Sequence, residues 1–328
     1  MLKVKITYPH PVEELQKQLP GKGFSNISFS INPPEDNTRY DYWIVYNHLR
    51  GRISGKNKKE TTICPKENTI FIAPEGHHIQ SYFTRFCNQF AVIFTCQEEI
   101  AARHPAAILH PPFTAWFVKK TYDELLNNDI VEKNKMISII TSNKVFTVGH
   151  RKRLDFVYAL KKHFKDKIDL FGRGIKDFDD KWGVIAPYKY SVAIENAFSP
   201  DYFTEKLFDC YLSLTFPIYY GCPNVEDYFN DKSFARIDID DLGESIKVIE
   251  KIIEDETQYD HAFPELLKAK AATLSNQNIF NYLTRFIEER EAGNSIAKEY
   301  LPVKIRQTFY DPSTLIEKMK DKRNRKNS

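Results

Sequence analysis

The chain has 328 residues, of which 42% are hydrophobic and 14% aromatic, enough apolar mass for two cores of ordinary size. Its net charge of +3 is too small to mark a nucleic-acid-binding protein by itself. Five cysteines (Cys64, Cys87, Cys96, Cys210 and Cys222) form an odd set without close CxxC pairs, which argues against a disulfide framework or a zinc cluster and fits a reducing compartment.

The N-terminus, MLKVKITYPHP, alternates as a first strand over Leu2–Thr7 and lacks the uninterrupted apolar stretch of a signal peptide. No run approaches the roughly 18 apolar residues that cross a bilayer, so the chain reads as soluble and cytoplasmic. A helical stretch near Val12–Leu19 precedes strands expected at Tyr42–Tyr46, Thr69–Ala73 and Phe90–Thr95, with a second helical stretch near Gln80–Phe86. The polar interval Lys119–Asn134 breaks this pattern and places a domain junction before a strand at Lys135–Thr141. Further strands are expected at Ile168–Phe171, Tyr190–Ile194, Phe216–Tyr220 and Phe234–Ile237, then helices at Leu242–Glu254, Pro264–Thr273 and Ile279–Glu289. Strands alternating with helical patterns in both halves are the rhythm of parallel α/β sheets. The expected division is residues 1–134, residues 135–295 and an extension, 296–328, with a basic tail.

The run Tyr188–Gly221, YKYSVAIENAFSPDYFTEKLFDCYLSLTFPIYYG, carries the densest chemistry. A buried strand delivers Glu195 and Asn196 to a loop, Asp201 stands where an N-cap is expected, and Glu205 and Lys206 fall in the first turn of the next helix. That helix is expected to end at Leu214, and Pro217–Gly221 to return as a strand. Amides and the positive dipole end at a helix start favour an anion such as a diphosphate, and a lysine adds a full charge.

The same residues, in the order aromatic-Lys-aromatic, Glu-Asn, Tyr-x-Thr-Glu-Lys-Leu and Pro-Ile-Tyr-Tyr-Gly, resemble the donor-binding signature of family 10 glycosyltransferases, the α-1,3/1,4-fucosyltransferases. The likeness continues at Ser233–Phe234. It implies the α/β GT-B fold, two Rossmann-like domains facing a cleft, with the acceptor on the N-terminal domain and a GDP-sugar on the C-terminal one. It also implies that Glu205 holds the donor's ribose hydroxyls, with Asn196 and Tyr202 nearby. A departing diphosphate needs cations: Lys206 is one, and Arg153, three residues before Phe156 and downstream of Ser142-Asn143, matches the family's second. Arg151 and Lys152 compete with it, and a solvated basic helix start is the bland alternative.

Glu75 follows the strand TIFIA and Pro74, at the carboxyl end of a strand where open α/β sheets place ligands. Phe71-Ile-Ala-Pro-Glu75-Gly resembles the family's strand ending in a proposed general base. A carboxylate that accepts the acceptor hydroxyl's proton contributes about 10²- to 10⁴-fold. The alternative is a cap for a helix beginning near His77. Here Gly76-His77-His78 replaces the family's more acidic or amide-rich continuation. His77 and His78 stand as acceptor contacts, and no HExxH spacing marks them as metal ligands.

Three other features carry less. Asp238-Ile-Asp240-Asp241 contains the Asp-x-Asp of metal-dependent transferases but lies after the donor signature, so a loop or N-cap role is expected, and no catalytic metal is required although a divalent cation could stimulate turnover. Gly172-Arg173-Gly174 lacks the third glycine of a dinucleotide fingerprint. The tail from Lys318 to Lys326 holds six basic residues against one acid after a short apolar stripe, which suits either peripheral contact with an anionic membrane or a disordered solubilising end. Together these readings give an inverting transferase moving L-fucose from GDP-fucose to a carbohydrate acceptor, O3 of N-acetylglucosamine in lipopolysaccharide or capsule, at the inner membrane face. The alternatives are another nucleotide sugar on the same fold, or a non-catalytic glycan- or membrane-binding protein. A nucleic-acid contact of the tail ranks last, because interleaved aromatics are missing.

Overall fold

Two runs of wholly buried apolar residues, Tyr42–Tyr46 and Thr69–Ala73, set the architecture of the N-terminal half, because a strand buried on both faces needs a covering layer on each side. The computed structural model describes residues 1–50, 58–127, 131–141, 148–293 and 298–308, which pack as two units. The first unit comprises Met1–Glu13, Lys22–Phe113 and the described residues from Leu283 to Thr308. In chain order this part of the protein forms β1 (Leu2–Thr7), α1 (Glu13–Gln16), β2 (Ile27–Ile31), β3 (Tyr42–Tyr46), β4 (Lys58–Cys64) and β5 (Thr69–Ala73). They are followed by α2 (Thr84–Cys87), β6 (Val92–Thr95), α3 (Glu98–Ala101) and β7 (Ala107–Leu109). Six strands make a parallel sheet in the order β2-β1-β3-β5-β6-β7. The strand order therefore reverses between β1 and β3, the topological switch point of a doubly wound sheet. Trp43, Val45, Phe71, Phe86, Phe90 and Ile93 form the core on one side, with Phe71 stacked on Phe90 at 5.1 Å.

β4 stands outside this sheet and pairs antiparallel with the strand Leu301–Gln307. Its buried positions include Lys58, Glu60 and Thr62. Thr62 accepts a hydrogen bond from Lys5 Nζ at 2.8 Å, Glu60 accepts one from Thr7 Oγ1 at 2.9 Å, and Lys58 Nζ donates to the Leu49 carbonyl at 2.9 Å, so this inner face is satisfied by polar partners on β1 and just after β3.

The second unit, Glu14–Gly21 with Thr114–Tyr282, holds α4 (Tyr122–Asn127), β8 (Lys135–Ile140), α5 (Val148–Phe164), β9 (Ile168–Phe171), β10 (Tyr188–Ile194), α6 (Glu205–Leu212), β11 (Phe216–Tyr220) and β12 (Ala235–Arg236). Helices α7 (Leu242–Glu254), α8 (Gln258–Ser275) and α9 (Ile279–Ala292) follow, the last spanning the division at Tyr282. The sheet is parallel with the order β12-β11-β10-β8-β9, so its switch point lies between β8 and β10. Ile137, Ile139, Val192 and Ile218 from the strands meet Val157, Leu160, Leu207 and Phe208 from the helices in one core. Among the described residues, no helix is long and apolar enough to cross a membrane.

The units follow packing and differ from the expected division at 134/135. The polar interval 119–134 and the segment before it hide Trp116, Val118 and Leu125, all buried in the second core. Residues 14–21 join that unit through the Lys17 carbonyl, which accepts from Tyr122 N at 2.7 Å, and the Gln18 carbonyl, which accepts from Asn278 Nδ2 at 2.9 Å. The segment 298–308, expected in a separate extension, belongs to the first unit, where Gln307 Oε1 accepts from Leu49 N at 2.9 Å. The basic tail lies outside the described residues. Individual elements also shift. The stretch expected to be helical near Gln80–Phe86 is helical only at α2, and α8 starts six residues before Pro264.

Gly172, at the end of β9, has φ +143°, and a Cβ built on it would lie 1.4 Å from the Thr141 carbonyl oxygen. This glycine serves close backbone approach between the ends of β8 and β9. Replacing Gly172 with Ala should destabilise the protein by about 2–4 kcal/mol, read as a lower midpoint of urea denaturation.

Candidate functional site

The site begins with a buried charge at the end of β10. Glu195 is 1% exposed, and Gly221 makes room for it, since a Cβ there would fall 2.5 Å from the Glu195 Cγ. Its Oε1 accepts from Thr204 N at 2.7 Å, Thr204 Oγ1 lies 3.0 and 2.8 Å from its two oxygens, and Lys206 Nζ donates to Oε2 at 3.2 Å. Burial raises the Glu195 carboxyl above its ordinary value, with Lys206 opposing the shift. Thr204 is the N-cap residue of α6, yet its hydroxyl serves Glu195 and Lys206 and makes no cap hydrogen bond. The start of α6 thus lacks a capping side chain, which favours an anion there.

Lys206 Nζ also donates to Thr204 Oγ1 at 2.9 Å and to Glu205 Oε1 at 3.3 Å, and its side chain is 22% exposed. Burial works against its charge, but Glu195 and Glu205 more than compensate and hold the ammonium well above its ordinary pKa. For Glu205 burial again opposes the charge, while Lys206 and then Lys181 bring its carboxyl below the usual range. The first turn of α6 therefore presents an ammonium and a carboxylate side by side, both ionised.

Arg153 comes from α5, across the switch point from β10. It is 7% exposed, donates through Nη1 to Asn196 Oδ1, and its Nε has no hydrogen-bond partner among the described residues. Burial lowers its pKa, and the Glu195 charge opposes the shift. The competing cations separate cleanly. Arg151 and Lys152 are exposed, and Lys152 pairs with Asp240 at 2.7 Å. That pairing also accounts for the Asp-x-Asp: Asp241 caps α7 by accepting from Glu244 N at 2.9 Å, and Asp238 accepts from Asp240 N at 2.9 Å. Ser142 and Asn143 lie outside the described residues.

One sequence expectation changes in this segment. Asp201 is not the N-cap of α6. It has φ +55°, and its Oδ1 accepts from Asn224 Nδ2 at 2.8 Å and Tyr228 OH at 2.6 Å, tying the loop to the segment after β11. The three residues that follow it include Tyr202 and Phe203, both buried, which pushes the helix start to Glu205. Tyr202, expected beside the donor, is 2% exposed.

In the first unit Glu75 sits half-buried just beyond β5. Gln97 Nε2 donates to the Glu75 carbonyl at 2.6 Å and to the Gln80 carbonyl at 2.9 Å, pinning both ends of the loop. Burial and then the Glu75 charge keep the nearby Tyr82 hydroxyl protonated. His77 and His78, both partly buried, occupy a turn closed by Ile79 N donating to the Gly76 carbonyl at 2.9 Å, so no helix begins at His77 for Glu75 to cap. No group of His, Cys, Asp and Glu among the described residues is disposed to hold a metal ion.

Sequence reasoning missed the parts that act from beneath. From sequence Glu195 reads as the end of a buried strand, where a solvated carboxylate is the simpler role. Its signal was the neighbouring Gly221, where the chain leaves room. Asp209, one turn after Glu205 on α6, is fully buried and bonds Lys181 Nζ at 2.6 Å. Burial pushes its carboxyl up to about 6 against the pull of Lys181.

The model of the family "Glycosyltransferase family 10 (fucosyltransferase) C-term" matches residues 130–284. An α-(1,3)-fucosyltransferase, FucT, of Helicobacter pylori is 41% identical over 66 residues, 20% of this chain and 14% of that protein. α-(1,3)-Fucosyltransferase B of Drosophila melanogaster is 25% identical over 168 residues, 45% of this chain and 37% of that one. The chain thus spans well under half the length of these relatives. Among solved structures, an α1,3-fucosyltransferase superposes with a TM-score of 0.54 at 18% identity, covering 90% of this chain and 91% of that one. The same kind of enzyme with GDP-fucose gives 0.53 at 19% identity, covering 92% and 93%. A DNA-modifying β-glucosyltransferase gives 0.50 at 8% identity, covering 88% and 100%. At these identities the superpositions establish the fold, α/β of the GT-B type.

Replacing Thr204 with Val keeps the side-chain volume but removes the hydroxyl shared by Glu195 and Lys206. Urea denaturation should show a loss of about 1–3 kcal/mol, with Thr204→Ser close to wild type.

Proposed function

Taking as premise that residues 130–284 are a family 10 glycosyltransferase (fucosyltransferase) domain, we propose that the protein is an inverting transferase that moves L-fucose from GDP-fucose to a glycan hydroxyl. The observation that carries this reading is the constellation at the switch point of the second sheet: a buried guanidinium whose Nε has no partner among the described residues, an ionised Lys206–Glu205 pair at a helix start without a capping side chain, and Glu195 bonded to Lys206. Arg153 and Lys206 supply two positive charges, enough to stabilise a diphosphate as the glycosidic bond breaks. Glu205 is the acceptor for ribose hydroxyls, and Asn196 fixes Arg153 for its role. Tyr202, on the same loop before α6, is the proposed neighbouring donor contact.

Glu75 acts as general base in this proposal. It takes the proton of the acceptor hydroxyl while the oxygen attacks the fucosyl carbon, and the bond to the diphosphate breaks on the opposite face, which inverts the anomeric centre. The position of Glu75 at the carboxyl end of a central strand supports this role. His77 and His78 on the following turn are the proposed acceptor contacts. The cationic charge comes from side chains, so the proposed reaction requires no metal. The acceptor is O3 of an N-acetylglucosamine residue in lipopolysaccharide or capsule. The six basic residues between Lys318 and Lys326 favour a cytoplasmic protein in peripheral contact with an anionic membrane.

Calorimetry without added metal should show GDP-fucose binding in preference to GDP-mannose and UDP-sugars. Preference for another nucleotide sugar would change the donor, and absence of binding to any would overturn the transferase reading. Lys206→Ala should weaken GDP binding about ten- to a hundred-fold, as expected for a lost charge-assisted contact. Glu75→Gln should lower transfer by about 10²- to 10⁴-fold while leaving GDP-fucose affinity close to wild type; turnover at the wild-type rate would remove Glu75 from its role.

A further inference from the structure

Beyond the donor constellation, the carboxyl edge of the second sheet carries a cavity of about 530 Å³. Small-molecule pockets span about 300–1,000 Å³. The cavity lies where β11 and β12 end and α7 begins, and it is lined by Phe198, Tyr220, Arg236, Asp238, Asp241 and Glu244 among others. Phe198 is only two residues from Asn196, so the cavity continues the candidate site along the same edge. Its most informative member is Phe198 itself. A phenylalanine 61% exposed to water retains an unfavourable apolar surface, and this one leans over the Tyr220 ring at 5.7 Å and 36°. The two rings contribute adjoining apolar surface to the cavity's lining.

The polar lining limits what the cavity can receive. Three carboxylates, Asp238, Asp241 and Glu244, disfavour an anion. Arg236 does not offset them, because its guanidinium is engaged by Glu226 and by the carbonyls of Cys222 and Pro223, at 3.2 and 2.9 Å. A metal cation is not accommodated either, since these acids form no group disposed to hold one. Asp238 and Asp241 each give one oxygen to a backbone amide, and Glu244 gives Oε2 to Lys247 Nζ at 3.1 Å, which leaves acceptor capacity at the second oxygen of each. Carboxylate acceptors beside an apolar surface suit a neutral molecule that carries many hydroxyl donors on one side and C–H groups on a flat face.

We propose that this cavity is a subsite for a neutral pyranose residue of a glycan, its C–H face on Phe198 and Tyr220 and its hydroxyls donating to Asp238, Asp241 and Glu244. The proposal rests on the transferase reading to the extent that the glycan is the acceptor, and it names the acceptor's class as neutral at this position.

The test uses the full chain, with methyl β-galactoside and methyl β-N-acetylglucosaminide as probes in saturation-transfer NMR titrations. Wild type should transfer saturation to at least one glycoside, Phe198→Ala should lower the affinity about fivefold or more, and Phe198→Trp should retain it. GDP-fucose affinity, measured in parallel, should be the same in all three proteins. Absence of transfer to both glycosides, or equal affinity in wild type and Phe198→Ala, would overturn the subsite. Glycoside binding that depends on Phe198 in a protein that fails to bind GDP-fucose would uphold the subsite and separate it from the donor reading.

Discussion

The buried carboxylate of Glu195 is the constraint on which the candidate site depends. A charge removed from water at the end of a central strand is costly unless every lone pair is engaged. Its partners are drawn from one short stretch, the amide and hydroxyl of Thr204 and the ammonium of Lys206. Meeting that demand fixes the start of α6, diverts the hydroxyl that would cap the helix, and holds Lys206 charged. Gly221 answers the same demand from β11, because any side chain there would occupy the carboxylate's space. Asp209 and Lys181 repeat the device one turn along α6, anchoring the helix from its buried side.

Parallel topology explains why these groups meet. In an order of β12-β11-β10-β8-β9, chains leaving β8 and β10 diverge to opposite faces, and the crevice between them lies beyond the carboxyl ends of the strands. Arg153 enters that crevice from the helix after β8 and Asn196 from the loop after β10, and the two bond there. The cluster is thus ordered by its own hydrogen bonds, which would spare the reorganisation that a flexible site requires in the proposed reaction. The first sheet reverses in the same way between β1 and β3, and Glu75 stands at the end of the adjoining strand, β5.

Strands that are buried on both faces were legible because their apolar runs are nearly continuous: β3, β5 and β11 fall where the pattern places them, and β1 falls where its alternation does. β4 was not legible. Its inward positions are Lys58, Glu60 and Thr62, which read as a solvated loop until their polar partners are known. The division between the units was hidden for a related reason. Trp116 and Val118 just before the polar interval and Leu125 within it are isolated apolar positions, and only their common burial assigns this stretch to the second unit. Pro264 suggested a helix start by its preference for a first turn, whereas α8 encloses it.

By itself the sequence determined the parallel α/β class and the strand–loop–helix–strand order of residues 188–221, because periodicity and residue order are local properties, while its resemblance to family 10 glycosyltransferases singled out Glu205, Lys206, Asn196 and Arg153 as a group. Tertiary structure decided which of three neighbouring cations turns inward, that Asp201 ties a loop instead of capping a helix, and that Tyr202 is buried. It also decided that Glu195, which reads as a solvated strand end, is the charge around which the others are arranged. Those outcomes depend on where solvent is excluded. A charged side chain's worth is set by its partners and by the water it has lost, and both come from residues distant in the chain.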